Sequence, residues 1–165
     1  MPKEQKGCCG RSTGCKVQLL ITKAILQECK SKKKKNVCME RIDYKKDFDS
    51  LPHSWIIKSL QLIGINNKII PFSSNATNYW KTSTCLTYRR EDNRNRNIEI
   101  QCGIFQGDSL SPLLFCISLN PLTEQLNKMN TRYEEHITKM KVSYLFYTDD
   151  FKLIGKTEEA LKKQM

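Results

Sequence analysis

The chain contains no long apolar run. Its longest, Leu110 to Leu119, is interrupted by Ser111 and Pro112 and falls well short of the roughly 18 residues that argue for a membrane span, so no membrane is expected among its partners. Histidine is nearly absent: His53 and His136 stand far apart. The 8 cysteines include no C-x-x-C pair, which leaves only Cys8, Cys9 and Cys15 close enough for zinc, one ligand short. No secretory leader precedes them, so the expectation is an intracellular protein, nuclear or cytoplasmic, with free thiols. The acceptor triplet Asn75-Ala76-Thr77 therefore carries no weight. There is no internal repeat. Acidic residues are in deficit, 17 against 28 Lys and Arg, for a formal charge of +11. That excess points to a polyanionic partner, because each phosphate neutralised releases counterions. Much of it lies in Lys30-Ser31-Lys32-Lys33-Lys34-Lys35 and in Arg89 to Arg96. Either run alone reads first as a solvated loop, and the lysines also as a nuclear localisation signal.

What is present is an acidic pair in an awkward place. In SYLFYTDDFKLIG, Asp149 and Asp150 separate two short runs, Val142 to Tyr147 and Phe151 to Ile154, which read as the arms of a β-hairpin. The pair is expected at its tip, where Asp is also an ordinary turn residue. A third carboxylate shifts the balance. Asp43 follows another strand-like run, Val37 to Ile42, ahead of a helix that Pro52 helps to open. Carboxylates from different elements suit two-metal phosphoryl transfer, whose ions stand about 3.5–4 Å apart.

In chain order, the pattern predicts a helix over Val17 to Cys29, the strand into Asp43, and a helix from His53 to Ile63 stopped by Gly64. Its apolar side is expected to hold Trp55, Ile56, Leu60 and Ile63. A shorter helix and a turn fall within 66–79. Thr82 to Tyr88 and Asn97 to Cys102 read as strands flanking the arginine-rich loop. In GIFQGDSLSPLLFCISLNPL, Gly103 and Gly107 bracket a loop. Ser109 or Ser111 is expected to cap the following helix with Pro112 in its first turn, an entrance suited to phosphate. Leu113, Leu114, Ile117, Leu122 and Leu126 form its core stripe, and Pro121 should bend or divide it. A last helix starts at Glu158. These elements give one α+β domain, an antiparallel sheet with helices on one face.

Taken together, the motifs resemble those of the reverse transcriptases of non-LTR retrotransposons. YTDD is similar to the family's Tyr-x-Asp-Asp box, IDYKKDFDSLPHSW to its first catalytic-aspartate motif, and GIFQGDSLSPLLFCISLNPL to its nucleotide-pocket motif. EQKGCCGRSTGCKVQLLI resembles the segment preceding the palm. The resemblance covers nearly the whole chain. It implies the palm of a right-hand polymerase at 37–165, a partial fingers segment at 1–36, and no thumb or endonuclease.

Position by position, the resemblance implies that Asp43, Asp149 and Asp150 are catalytic and bind two Mg2+ ions, or Mn2+ in their place. Phe48 falls under the incoming sugar, where bulk disfavours a 2'-hydroxyl, and Gln106 and Gly107 line the nucleotide pocket. From the residues alone, Phe48 reads equally as a core residue, Gln106 as a loop amide and Gly107 as a turn glycine. The implied partners are an RNA template, a DNA primer and a deoxynucleoside triphosphate. The implied reaction is RNA-directed DNA synthesis by a truncated retrotransposon copy, and the alternative is an inactive nucleic-acid-binding remnant. The chain also departs from the pattern. Asp47 replaces a small residue, Glu40 and Arg41 occupy a strand expected to be apolar, Cys102 stands for Arg, Val17 for Asp, and Thr148 fills the variable place of the acidic box.

Overall fold

The computed structural model describes residues 5–10, 12–31, 36–88, 91–94, 97–129, 131–135, 139 and 141–165, with side chains at 85–88 and 91–94 left aside. The chain begins with helix α1 (Cys15–Ser31), strand β1 (Cys38–Ile42), and helices α2 (His53–Leu62) and α3 (Ile69–Asn78). Four short strands follow: β2 (Lys81–Thr82), β3 (Cys85–Tyr88), β4 (Glu91–Arg94) and β5 (Ile98–Glu99). Helices α4 (Ser111–Ser118) and α5 (Asn120–Lys128) lead to β6 (Tyr133–Glu134), β7 (Lys141–Val142), β8 (Tyr144–Tyr147), β9 (Asp150–Gly155) and α6 (Glu158–Gln164). The expected α+β class holds. Among the described residues, no helix is long and apolar enough to cross a membrane.

The sheet that organises the molecule has the order β1-β9-β8 and is antiparallel throughout. β1 pairs with β9 from Cys38 opposite Gly155 to Ile42 opposite Phe151, and β8 with β9 from Tyr144 opposite Leu153 to Tyr147 opposite Asp150. Strand residues alternate between faces, so this register sends Tyr144, Phe146, Phe151 and Leu153 to one side and Leu145 and Ile154 to the other.

Helices cover both faces, which corrects the expected single-face arrangement. Leu126 of α5 and Leu161 of α6 pack on the aromatic side. Ile25 of α1 packs on the opposite side with Val142, Leu145 and Ile154. The cause is legible in β8, where Tyr144, Leu145 and Phe146 are all buried in succession. A strand apolar on both sides needs cover on both.

A third cluster joins α2 to α4 through Ile56, Leu60, Phe115 and Ile117, with Leu51 and Ile104 between them. Trp55, expected in that core, is 40% exposed and instead donates its indole N–H to the Ser118 carbonyl at 3.0 Å. Gly64, at φ +72, ends the α2 segment as expected. Division of the long apolar helix also holds: α4 stops at Ser118 and α5 begins with Pro121 in its first turn, because proline cannot donate the hydrogen bond that would continue α4.

The arginine-rich loop needs correction. β2 pairs with β5, and inside that pair β3 meets β4 at Glu91–Arg94. Much of the expected loop is therefore strand, since any non-proline backbone can supply a ladder. Lys32, Lys33, Lys34, Lys35, Arg89, Arg90, Arg96 and His136 lie outside the described residues.

Candidate active site at one end of the three-stranded sheet

β1 ends with Ile42 opposite Phe151, so Asp43 is the next residue along that edge. Asp150 precedes Phe151 and pairs with Tyr147, while Thr148 and Asp149 make the turn between β8 and β9. Register therefore brings Asp43, Asp149 and Asp150 to the same end of the sheet although they are distant in sequence. Asp150 belongs to a strand, whereas both acidic residues had been expected at the hairpin tip. All three are exposed. Among the described residues, no group of three His, Cys, Asp or Glu side chains is arranged to hold a metal ion. The donor chemistry still fits Mg2+, which takes hard oxygen ligands and is usually held by one or two carboxylates plus water and substrate phosphate.

The turn itself is strained and clamped. Thr148 has φ +53, a left-handed conformation uncommon for a β-branched residue. Gln5, only 2% exposed, accepts hydrogen bonds at Oε1 from the backbone N–H of Thr148 at 3.1 Å and of Gly7 at 2.8 Å. Lys6 N–H donates to the Phe146 carbonyl at 3.0 Å, and the Gln18 side-chain amide donates to the same oxygen. A Cβ on Gly7 would lie 2.5 Å from Thr148 Oγ1 and 2.6 Å from Thr148 N. Only glycine allows that approach. Sequence reasoning did not find this clamp. Its available signal was a glycine directly after a polar pair in EQKGCCG.

The buried Cys116 of α4 also reaches this corner, with Sγ 3.9 Å from the Gly7 carbonyl. Burial pushes its thiol up to about 12, reinforced by Cys8, Cys9 and Asp149.

The nucleotide-pocket residues are assembled differently. Phe48 is half-buried and its ring centroid lies 5.3 Å from that of Phe115. Its carbonyl accepts from Ile104 N at 2.9 Å, and Gly103 N donates to Leu51 O at 2.8 Å. A Cβ on Gly103, at φ +91, would come 2.9 Å from the Asp49 carbonyl. The glycine thus lets two loops run side by side. Gln106 and Gly107 follow in an exposed turn, Gly107 at φ +89. Gln106 shares a cavity of about 420 Å³ with Asp49, Trp80 and Phe105. Neither Ser109 nor Ser111 caps α4. The cap position is Leu110, whose N–H donates to Asp108 Oδ1 at 2.6 Å.

Among the departures, Asp47 is half-buried and Cys102 is exposed, with its thiol donating to the Asp49 carbonyl at 3.4 Å. Glu40 faces Leu153 and Arg41 faces Lys152. Burial lowers the Lys152 pKa, the Arg41 charge lowers it further, and Asp150 opposes both.

The family model described as reverse transcriptase (RNA-dependent DNA polymerase) matches residues 5–165. The chain belongs to the reverse transcriptase family. Two curated relatives, both Retrovirus-related Pol polyproteins from type-1 retrotransposable element R2 of Popillia japonica, are 28% and 32% identical over 113 residues. Each alignment covers 68% of this chain, but the chain spans only 18% and 15% of those relatives. The resemblance read from the motifs is thereby borne out. Among solved structures, apo telomerase from Candida tropicalis truncated from its C-terminal domain aligns with a TM-score of 0.64 at 21% identity, over 98% of this chain and 31% of that one. Telomerase from Candida albicans in complex with a TWJ fragment of telomeric RNA aligns at 0.62 and 12%, over 98% and 28%. At such identities the likeness is one of fold.

Proposed function

We propose that this reverse transcriptase chain adds deoxynucleotides to a DNA primer 3'-hydroxyl on an RNA template, with the palm at 37–165 and part of the fingers at 1–36. The observation that supports the reading is the β1-β9-β8 register, with Ile42 opposite Phe151 and Tyr147 opposite Asp150, so that Asp43 and the acidic pair belong to one end of the sheet. Asp43, Asp149 and Asp150 would hold divalent cations, Mg2+ or Mn2+, which supply Lewis-acid stabilisation of the attacking and leaving oxygens. Phe48, braced by Phe115, would set the floor under the incoming sugar and disfavour a 2'-hydroxyl. Gln106 and the exposed backbone at Gly107 would border the nucleotide. The chain's contribution is positioning and charge placement, with no covalent intermediate. Its source in this reading is a retrotransposon copy, and its place of action is intracellular, nuclear or cytoplasmic.

A second reading, a nucleic-acid-binding remnant without nucleotide addition, draws on one observation: the absence of a ready three-carboxylate group among the described residues. Primer extension on an RNA template with Mg2+ or Mn2+, run beside Asp149→Asn, separates the two. Extension that vanishes in the variant supports the polymerase. Binding without extension in either protein supports the remnant.

A further inference from the structure

We propose that Lys16, Arg41 and Lys152 form a phosphate-binding site on the α1 face of the sheet, bordering Asp150 and taking a backbone phosphate of the nucleic-acid strand. The inference rests on the nucleic-acid reading above and extends it to residues that the family motifs leave unassigned.

The starting point is an arrangement that weakens the fold. Arg41 and Lys152 are direct partners across the β1–β9 ladder, where opposing side chains share a face with Cβ atoms about 4.5–5.5 Å apart and like charges are destabilising. No described carboxylate makes an ion pair with either one. Lys152 is held inward instead, its Nζ donating to Thr22 Oγ1 of α1 at 3.3 Å. Both cations line a cavity of about 240 Å³ that α1 closes with Lys16 and Leu19, and that Tyr147 and Asp150 border from the hairpin.

Three cations thus converge from α1, β1 and β9 on one concavity with a single carboxylate, which leaves a local positive excess. A solvated charge run would come from one segment, whereas these side chains are brought together only by folding. A phosphate supplies several acceptor oxygens to such a group, and the planar fork of Arg41 suits phosphate geometry. Leu19 and the Tyr147 ring add an apolar wall against which a sugar or base can lie.

The phosphate could belong to a strand or to a nucleoside triphosphate, and we favour the strand because Phe48, Gln106 and Gly107, which the proposed function gives to the nucleotide, do not line this cavity. Anisotropy of a labelled RNA–DNA hybrid over a range of salt, with wild type, Arg41→Gln, Lys152→Gln and the double variant, tests the site. Circular dichroism melting confirms that each variant is folded. Each single change is expected to weaken binding and reduce the log–log salt slope by about 0.9, and the double by about twice that. Lys162→Gln on α6, whose partner is Glu158 at 2.7 Å, should leave the slope unchanged. A parallel titration with deoxynucleoside triphosphate completes the set: loss there alone in the variants supports the phosphate site and assigns it to the nucleotide. Unchanged binding of both ligands by the double variant overturns the site, as does an equal loss in Lys162→Gln. Wild type that binds with the expected slopes but never extends a primer overturns the polymerase reading while leaving this site in place.

Discussion

The two faces of the three-stranded sheet differ in kind. On the α5/α6 side, Phe146 and Phe151 stack with centroids 4.1 Å apart and planes at 5°, and Tyr144 meets Phe146 edge-on at 5.5 Å. That side is apolar except for Glu40, which stands opposite Leu153, and it ends in Ile42 and Phe151. The α1 side starts in the same way, with Ile25, Val142, Leu145 and Ile154. Toward the acidic turn it changes to Arg41, Lys152, Tyr147 and Asp150. One face holds the fold together, and the other gives up cohesion at the end where the carboxylates gather. The same backbone register produces both, because alternation sends every second residue to each side.

The sharpest break of this contrast is Phe146→Ala. Phe146 is 0% exposed and contacts two aromatic neighbours, so its truncation should cost about 3–5 kcal/mol. Urea unfolding followed by tryptophan fluorescence checks this through the midpoint. A loss below about 1 kcal/mol would show that the aromatic face does not carry the stability assigned to it.

Gly7→Ala probes the seam between the two faces at the turn. Its Cβ would stand 2.6 Å from the Thr148 backbone nitrogen, and backbone cannot swing aside as a flexible side chain can. Overpacking of this kind costs about 1–3 kcal/mol. The same variant should displace the Thr148–Asp149 turn, visible as amide chemical-shift changes concentrated at 147–150. Changes spread evenly over the molecule would argue against a local clamp. Gln5→Met is the milder companion. It keeps the volume but removes the oxygen that accepts from Thr148 and Gly7, at about 1 kcal/mol per bond lost. Gln5 Nε2, which has no partner among the described residues, disappears with it and offsets part of the loss, so the net effect should fall below that of Gly7→Ala.

These variants also mark where the sequence was readable. Short runs rich in aromatic and β-branched residues located β8 and β9, and the apolar spacing located α2 and the divided α4–α5 pair, because burial of one stripe fixes those helices. The register between β1 and β9 was not readable. It depends on contacts between residues about a hundred positions apart, yet the motif order pointed to the right strands. Helix cover on both faces shows in β8 once its three successive buried residues are seen, but nothing in the sequence of α1 names the face on which it packs. The Gln5 clamp was hidden for a related reason: a glutamine that accepts two backbone hydrogen bonds looks, in sequence, like any surface glutamine. The Asp108 turn ahead of α4 escaped because Ser109 and Ser111 are the usual cap residues in that stretch, whereas the backbone enters α4 through Leu110.

The smallest expected effect has the opposite sign. Replacing Arg41 by Gln removes a like-charge pair across the ladder, and such opposed pairs are worth about 0.2–1 kcal/mol. Arg41 is exposed, so screening by water and salt places the gain at the low end of that range. The urea midpoint should therefore rise slightly at low salt, and the rise should shrink as salt is added. A fall in the midpoint would mean that the Arg41 stem packs on the sheet enough to outweigh its charge, and the contrast between the faces would then be one of degree. A small gain in stability, found together with weaker binding of the nucleic acid, is the combination expected of a side chain retained for its ligand at the expense of the fold. The aromatic face should show no such exchange, since every truncation there removes buried area and returns nothing to binding.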